Sequence, residues 1–259
     1  MTLLLRKGVG LIAVLSLTST VIQAKEWETI RFGVEGSYPP FSWTTTSGEV
    51  KGFDIDLANA LCEELEAQCV FVPQDWNDII PGLLANQYDA IIAAMSITDE
   101  RKQRLAFTNK YAQIPSKFIA LKGKQPNTNI DSFKGIRIAV LRGSSHDDFI
   151  VANYPDSQVV RYGNFDDIYL DLYEGKVDVA LGDASALEEG ILKQAAGHKF
   201  EFVGPALHNE EWFGQGMGIA VNKSNPSLVK QLNAGLDNLH RKGIYRQIQK
   251  AYFNYDIHY

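Results

Sequence analysis

The sequence predicts an α/β fold of two lobes, each a mainly parallel sheet flanked by helices, with a cleft between them. Three observations carry that prediction. Short apolar strands alternate with amphipathic helices along most of the chain, a pattern that implies parallel sheets covered on both faces. The two halves share a grammar: a strand, then a turn that opens a helix (Val34-Glu35-Gly36-Ser37-Tyr38; Leu141-Arg142-Gly143-Ser144-Ser145), and later a helix followed by a Tyr-Asp-Ala or Val-Asp-Val strand (Tyr88–Ala90, Val177–Val179). The length of 259 residues suits two units of roughly 100–150 residues.

The elements follow in order. Strands are expected at Thr29–Val34, Val70–Pro73 and Asp89–Ala93, with helices at Phe53–Leu65, Asn77–Asn86 and Asp99–Arg104. Leu57, Leu61 and Leu65 share one face of the first helix, and Thr98 is a side-chain cap for the third. Lys117–Leu121 reads as a strand and Lys122–Asn129 as a polar loop. A second series follows. Its strands are Ile136–Leu141, Gln158–Tyr162, Val177–Leu181, Phe200–Val203 and Gly216–Val221. Its helices are Ser145–Asn153, Phe165–Glu174, Ala184–Ala196 and a long terminal helix, Pro226–Lys242, opened by Asn225 and Pro226.

The first residues set the compartment. Arg6 and Lys7 precede an apolar run from Gly8 to Leu17, and small and polar residues end at Ala24. That order is the one of a cleaved secretory signal peptide over residues 1–24. The run is shorter than the ~20 apolar residues a membrane span needs. Hydrophobic and charged fractions of 45% and 22% are those of an ordinary globular protein. The net charge is −6, and loss of Arg6 and Lys7 makes the mature chain more acidic, which argues against nucleic acid and suits a cationic partner. Cys62 and Cys69 are the only cysteines. In an oxidising compartment so close a pair reads as a disulfide; half a metal site is the alternative, but no His lies nearby.

Several residues have the chemistry to hold a small charged molecule at the carboxyl ends of these strands, where open α/β sheets bind ligands. Arg101 follows a buried strand and Met95-Ser96-Ile97-Thr98 in the first turn of a helix, and its planar fork matches a carboxylate; Ser96 adds a hydroxyl. The plainer reading pairs Arg101 with Asp99 or Glu100 at the surface. Gly143-Ser144-Ser145 opens a helix and offers backbone N–H groups to an anion, or is an ordinary glycine turn with a serine cap. Asp183 closes a strand and can meet an ammonium, cap the next helix, or both. Tyr38 and Trp76 can flank an extended side chain or sit in the core. Glu35 can meet a distal positive charge or be a solvated loop acid. Gly214-Gln215-Gly216-Met217-Gly218 lacks the context of a phosphate loop and reads as a hinge or tight strand entry. The five histidines are scattered, so neither a metal nor any cofactor is expected.

At these positions the chain resembles the periplasmic solute-binding proteins of polar amino-acid uptake systems (solute-binding protein family 3), nearest those binding lysine, arginine and ornithine, or histidine. The matching strings are Glu35-Gly-Ser-Tyr-Pro-Pro-Phe41, Gly52-Phe-Asp-Ile-Asp-Leu-Ala58, Leu61-Cys62 with Cys69, Asp75-Trp-Asn-Asp-Ile-Ile-Pro81, Tyr88-Asp-Ala90 and Ser96-Ile-Thr98 with Arg101. Gly143-Ser-Ser145, Gly182-Asp183, Trp212-Phe-Gly214, Gly243-Ile-Tyr245 and Tyr252-Phe253 continue the match to the end of the chain.

The resemblance implies a type II-like binding-protein fold and a role for each matched residue. Arg101 would grip a ligand carboxylate with Ser96, Ser144 and Ser145 assisting. Asp183 would take the α-ammonium, Tyr38 and Trp76 would flank the side chain, Glu35 would meet its distal charge, and Leu141 would line the cleft. The Cys62–Cys69 pair matches a disulfide of these relatives. Three departures bear on the ligand. Ala93 and Ala94 stand where the histidine and lysine binders carry serines, leaving a backbone carbonyl as acceptor there; His146 replaces a common glutamine; Glu35 is longer than the usual aspartate.

The resemblance further implies discontinuous lobes, 25–113 with 216–259 as lobe one and 114–215 as lobe two, closing on the ligand and docking as a monomer onto an inner-membrane ABC permease. The expected function is periplasmic capture of arginine, lysine or ornithine, with histidine, an opine, or a neutral amino acid such as glutamine as alternatives. The chain is not expected to be an enzyme. A periplasmic dehydratase on the same fold is the catalytic alternative and would need a cleft acid free for proton transfer. A receptor sensor module is the other, but the chain stops at Tyr259 where such modules run on into a membrane helix.

Overall fold

The computed structural model describes residues 27–124 and 133–258; the segment 1–24 expected to be a signal peptide and most of the loop expected over Lys122–Asn129 lie outside them. The chain opens with β1 (Thr29–Val34), whose inward residues Ile30, Phe32 and Val34 are fully buried. The turn at Glu35–Ser37 leads into a small antiparallel sheet of β2 (Ser37–Tyr38), β3 (Ser42–Thr44) and β4 (Val50–Lys51) rather than straight into a helix, as the shared turn grammar suggested. Helix α1 (Phe53–Glu64) starts only after it, at Gly52, whose φ of 135° and whose packing on the Phe41 carbonyl leave no room for a Cβ. Next come β5 (Gln68–Pro73), α2 (Trp76–Leu84), β6 (Ala90–Ile91), α3 (Asp99–Arg104) and β7 (Leu105–Phe107).

After the chain crosses to the other half, β8 (Ser116–Leu121), β9 (Arg137–Leu141), α4 (Ser145–Asn153), β10 (Gln158–Tyr162), α5 (Phe165–Tyr173) and β11 (Val179–Asp183) follow. The helix expected over Ala184–Ala196 is instead α6 (Ala184–Leu187), a π-helical turn over Glu188–Leu192 and a 3₁₀ turn over Gly197–Lys199. Gly190 explains the widening: it packs flat on the Tyr169 ring, where any Cβ would collide. The second half ends with β12 (Phe200–Leu207) and α7 (Glu210–Phe213), and the chain returns to the first through β13 (Ala220–Asn222), α8 (Pro226–Arg241) and α9 (Ile244–Tyr252).

The two large sheets have one topology. With the inserted strands β13 and β8 left out of the numbering, the orders β5-β1-β6-β13-β7 and β10-β9-β11-β8-β12 both place a sheet's second, first and third strands side by side. The strand beside a crossing is then inserted before the edge strand. The first three strands pair in parallel, whereas β13 and β8 run antiparallel to both neighbours. The sheets are therefore mixed rather than mainly parallel, because the inserted strands enter from the opposite half.

The shared Tyr-Asp-Ala and Val-Asp-Val grammar has a matching physical cause. Asp89 accepts the Arg31 N–H at 2.9 Å and pairs with its guanidinium at 2.8 Å. Asp178 does the same for Arg137, at 2.9 and 2.7 Å. Each clamp joins the start of a half's first strand to the start of its third.

The core of the first half is sealed by α8 on α1. Leu228, Leu232, Leu236 and Leu239 recur at helical spacing and are buried, each contributing about 1.5–3 kcal/mol. Gly235 lets α8 approach Leu61 closely. The Cys62–Cys69 disulfide forms, tying the end of α1 to β5. No helix among the described residues is long and apolar enough to cross a membrane.

Candidate functional site

The first and third strands of each sheet end toward the same cleft, and the residues just beyond those ends line it. From the first half come Glu35 and Tyr38 after β1, Trp76 at the start of α2, Ala93, Ala94 and Ser96 after β6, and Arg101 in the first turn of α3. From the second come Leu141 at the end of β9, Ser144, Ser145 and His146 at the start of α4, and Asp183 at the end of β11. All twelve residues singled out from the sequence line one narrow cavity between the two halves. Phe165, at the start of α5, lines it too. Sequence reasoning passed over it, although it follows a strand and the Asn164 cap as Ser145 follows Ser144.

Arg101 is buried, and Thr98 caps its helix by accepting the Arg101 N–H at 3.3 Å. The guanidinium donates to the Ser96 carbonyl at 3.0 Å and lies 5.3 Å from the centre of the Trp76 ring. It forms no ion pair with a described carboxylate, so the surface pairing with Asp99 or Glu100 is not made. Burial lowers its pKa, opposed by the negative charge of Glu100, Asp148 and Asp183.

Asp183 faces it from the other half. Its carboxylate accepts from the Tyr38 hydroxyl across the cleft at 2.5 Å and makes no side-chain capping bond to α6. Burial pushes its pKa up to about 7, with the Tyr38 hydrogen bond and Arg101 opposing. His146 Nε2 lies 3.9 Å from Asp183 but 2.9 Å from the Ser116 hydroxyl, and burial beside Arg101 lowers the ring to about 3, so it is neutral.

At the far end of the cleft stands Glu35. Its only described hydrogen-bond partner is the Ser37 hydroxyl at 3.3 Å, and no described cation pairs with it. Burial raises its pKa to about 8, and the negative charge of Asp166 and Asp75 adds to the rise. The Tyr38 ring, 4.5 Å from that of Phe165, joins the two halves beside it.

The α4 turn divides its work. Ser144 caps the helix by accepting the Asp147 N–H at 3.2 Å, and the Asp147 carboxylate takes the Gly143 N–H at 3.1 Å. The Ser145 and His146 amides are the first of the helix and have no intrahelical carbonyl to bond. The cleft therefore offers a cation with open helix amides opposite, a buried carboxylate, and a second carboxylate at its far end. Among the described residues no group of three His, Cys, Asp or Glu could hold a metal.

Comparison with known proteins gives the family. The sequence model of bacterial extracellular solute-binding proteins, family 3, matches residues 30–255. The L-arginine-binding protein of Pseudomonas aeruginosa is 42% identical over 231 residues, 88% of this chain and 89% of that one. The lysine/arginine/ornithine-binding periplasmic protein of Escherichia coli K12 is 38% identical over 233 residues, 89% and 90% of the two chains. Among solved structures, a Salmonella typhimurium periplasmic binding protein described for its high arginine specificity superposes with a TM-score of 0.82 at 28% identity, covering 88% of this chain and all of that one.

Proposed function

The chain belongs to the bacterial extracellular solute-binding proteins, family 3, and we propose that it is the periplasmic receptor of an amino-acid ABC importer, capturing cationic L-amino acids such as arginine, lysine or ornithine. The observation that carries the reading is the sequence of charges along the cleft. Glu35, Asp183 and Arg101 each lack an ionic partner close at hand among the described residues. A basic amino acid supplies the complement of all three: a side-chain cation, an α-ammonium and an α-carboxylate. Leaving such groups buried and uncompensated is costly, so the ligand that neutralises all of them is favoured over one that neutralises two.

Under this reading Arg101 and the Ser145 turn grip the carboxylate, with Ser96 and Ser144 beside them. Asp183 exchanges the Tyr38 hydroxyl for the ammonium. Tyr38, Phe165, Trp76 and Leu141 wall the aliphatic stem, and Glu35 meets the distal charge. The lobes are 25–113 with 216–259, and 114–215. Because Arg101 and Asp183 belong to different lobes, the ligand gains contacts on closure and shifts the equilibrium toward the closed form. The closed form is what an inner-membrane permease engages, and the chain acts as a monomeric receptor, not a catalyst. The names of the relatives, arginine- and lysine/arginine/ornithine-binding proteins, support the ligand class.

A thermal-shift screen of the common amino acids and ornithine tests the assignment. Arginine, lysine and ornithine are expected to raise the melting temperature most. A large shift with glutamine and none with arginine would remove the cationic ligand and leave the receptor reading standing.

A further inference from the structure

Asp54 is a fully buried carboxyl that the contacts proposed above do not use. It sits in the first turn of α1, where the helix dipole favours an acid. Its Oδ2 accepts the Ala94 N–H at 2.8 Å, and the Tyr111 hydroxyl accepts the same N–H at 3.1 Å. Its Oδ1 is buried with no hydrogen-bond partner among the described residues. The desolvated acid therefore holds one backbone amide, with the Tyr111 hydroxyl as its side-chain partner.

That amide is unusual. Ala94 has a φ of +48°, in the left-handed region that a residue with a Cβ occupies only where its surroundings impose it. It is also a cleft residue, together with Ala93. In a trans peptide the N–H and the preceding C=O point in opposite directions. With the Ala94 N–H turned toward Asp54 and Tyr111 in the core, the Ala93 carbonyl is turned the other way, toward the cleft these two alanines line. Tyr111 is itself fixed at the crossing between the halves: its N–H donates to Met217, and its carbonyl accepts from the Tyr245 hydroxyl. The turn at Ala94 is thus braced against α1 on one side and the crossing segment on the other.

We propose that Asp54 is a positioning residue for ligand specificity: by holding the Ala94 N–H it locks the left-handed turn that presents the Ala93 carbonyl to the cleft, as an acceptor for N–H groups of a cationic ligand. The carbonyl does there what a side-chain hydroxyl cannot, since neither Ala93 nor Ala94 has one. The inference rests on the cationic amino-acid reading for its ligand, but its structural half concerns Ala94 alone.

The test compares wild type, Asp54→Asn and Asp54→Leu in the mature chain, reading the Ala94 amide by ¹H–¹⁵N spectroscopy and arginine affinity by calorimetry. Asp54→Asn keeps an oxygen that can accept the amide, so arginine affinity should stay within about threefold of wild type. Asp54→Leu removes the closer and charged acceptor and leaves only the Tyr111 hydroxyl, so the Ala94 amide should move upfield and arginine affinity should fall by about tenfold or more. An unmoved Ala94 amide in Asp54→Leu, or a lowered melting temperature with unchanged arginine affinity, would overturn the proposal. Should Asp54→Leu not fold, the wild-type Ala94 amide carries the test: it should titrate with Asp54, and an amide indifferent to pH would overturn the brace. Wild type that binds no arginine would instead fail the cationic reading, with the amide still reporting on the brace.

Discussion

At Glu35 a half-buried carboxylate has a serine hydroxyl for company and two further acids nearby, and burial holds its pKa at about 8. Replacing it with glutamine keeps the shape and removes the charge. Glu35→Gln should weaken arginine by about 1.5–3 kcal/mol, the worth of a hydrogen bond to a charged group, and leave a neutral ligand nearly unaffected. Equal losses for both in calorimetry would strip Glu35 of its role. The pH dependence follows from the same burial. A ligand cation beside Glu35 and an ammonium beside Asp183 favour the ionised carboxylates, whose pKa values otherwise stand at about 8 and about 7. Fewer protons are bound in the complex, so arginine affinity should rise as pH climbs through that window and binding should release protons. Folding without ligand has the opposite sign. Glu35, Asp183 and Asp54, the last also at about 7, bind protons more tightly folded than unfolded. The stability they contribute is full below the ordinary carboxylate range and is lost as pH rises through about 7 to 8. Melting temperatures and calorimetry across pH 5–9 check both signs; an affinity that falls with pH would contradict the first.

Residue chemistry was legible where spacing placed a charged group at a strand end: Arg101, Asp183 and Glu35 all reach the cleft. What spacing could not reveal is division of labour. Trp76, read as a wall for the ligand, also lies against the Arg101 guanidinium, and the Gly143 amide, read as an anion donor, is taken by Asp147. Such pairings depend on side-chain directions that a one-dimensional pattern does not carry.

Among the elements, those with a clear cap or alternation were read nearly to the residue, α4 behind its Ser144 cap and β1 with Ile30, Phe32 and Val34 turned inward above all. The strands that were missed have no such pattern. The strands β2, β3, β4 and β7 are two or three residues long, below any window in which alternation can be seen. Helix α9 is different: Ile244, Tyr245, Ile248 and Tyr252 recur at helical spacing and pack on the core, so its face was legible and was passed over. The break after α6 is set by Tyr169, a residue far from Gly190 in sequence. The Cys62–Cys69 link closes a short loop between α1 and β5, both already held in the core. Its removal by Cys62→Ala with Cys69→Ala should cost about 2.5 kcal/mol in the chain-entropy model. Arginine affinity should not change, because neither cysteine lines the cleft. Denaturant unfolding and calorimetry measure the two effects, and a loss of affinity in the double variant would mean that the link shapes the site.

For the whole molecule, two copies of one sheet topology face each other, with strand ends aimed at a common cleft and the chain crossing between them near Ala112 and Met217, which pair as a bridge. The duplication was visible as repeated grammar; the antiparallel insertion of β8 and β13 was not, since it follows from the crossings rather than from any local pattern. Under the proposed function, two lobes, one cavity and charges supplied from both sides make closure and charge recognition a single event. The most direct test of that claim is calorimetric titration of the mature protein with arginine and with citrulline, which share shape and length and differ in the charge at the far end. Arginine should bind more tightly by about tenfold or more, the value of a charge-assisted contact over a neutral one. Citrulline binding as tightly as arginine would contradict the account.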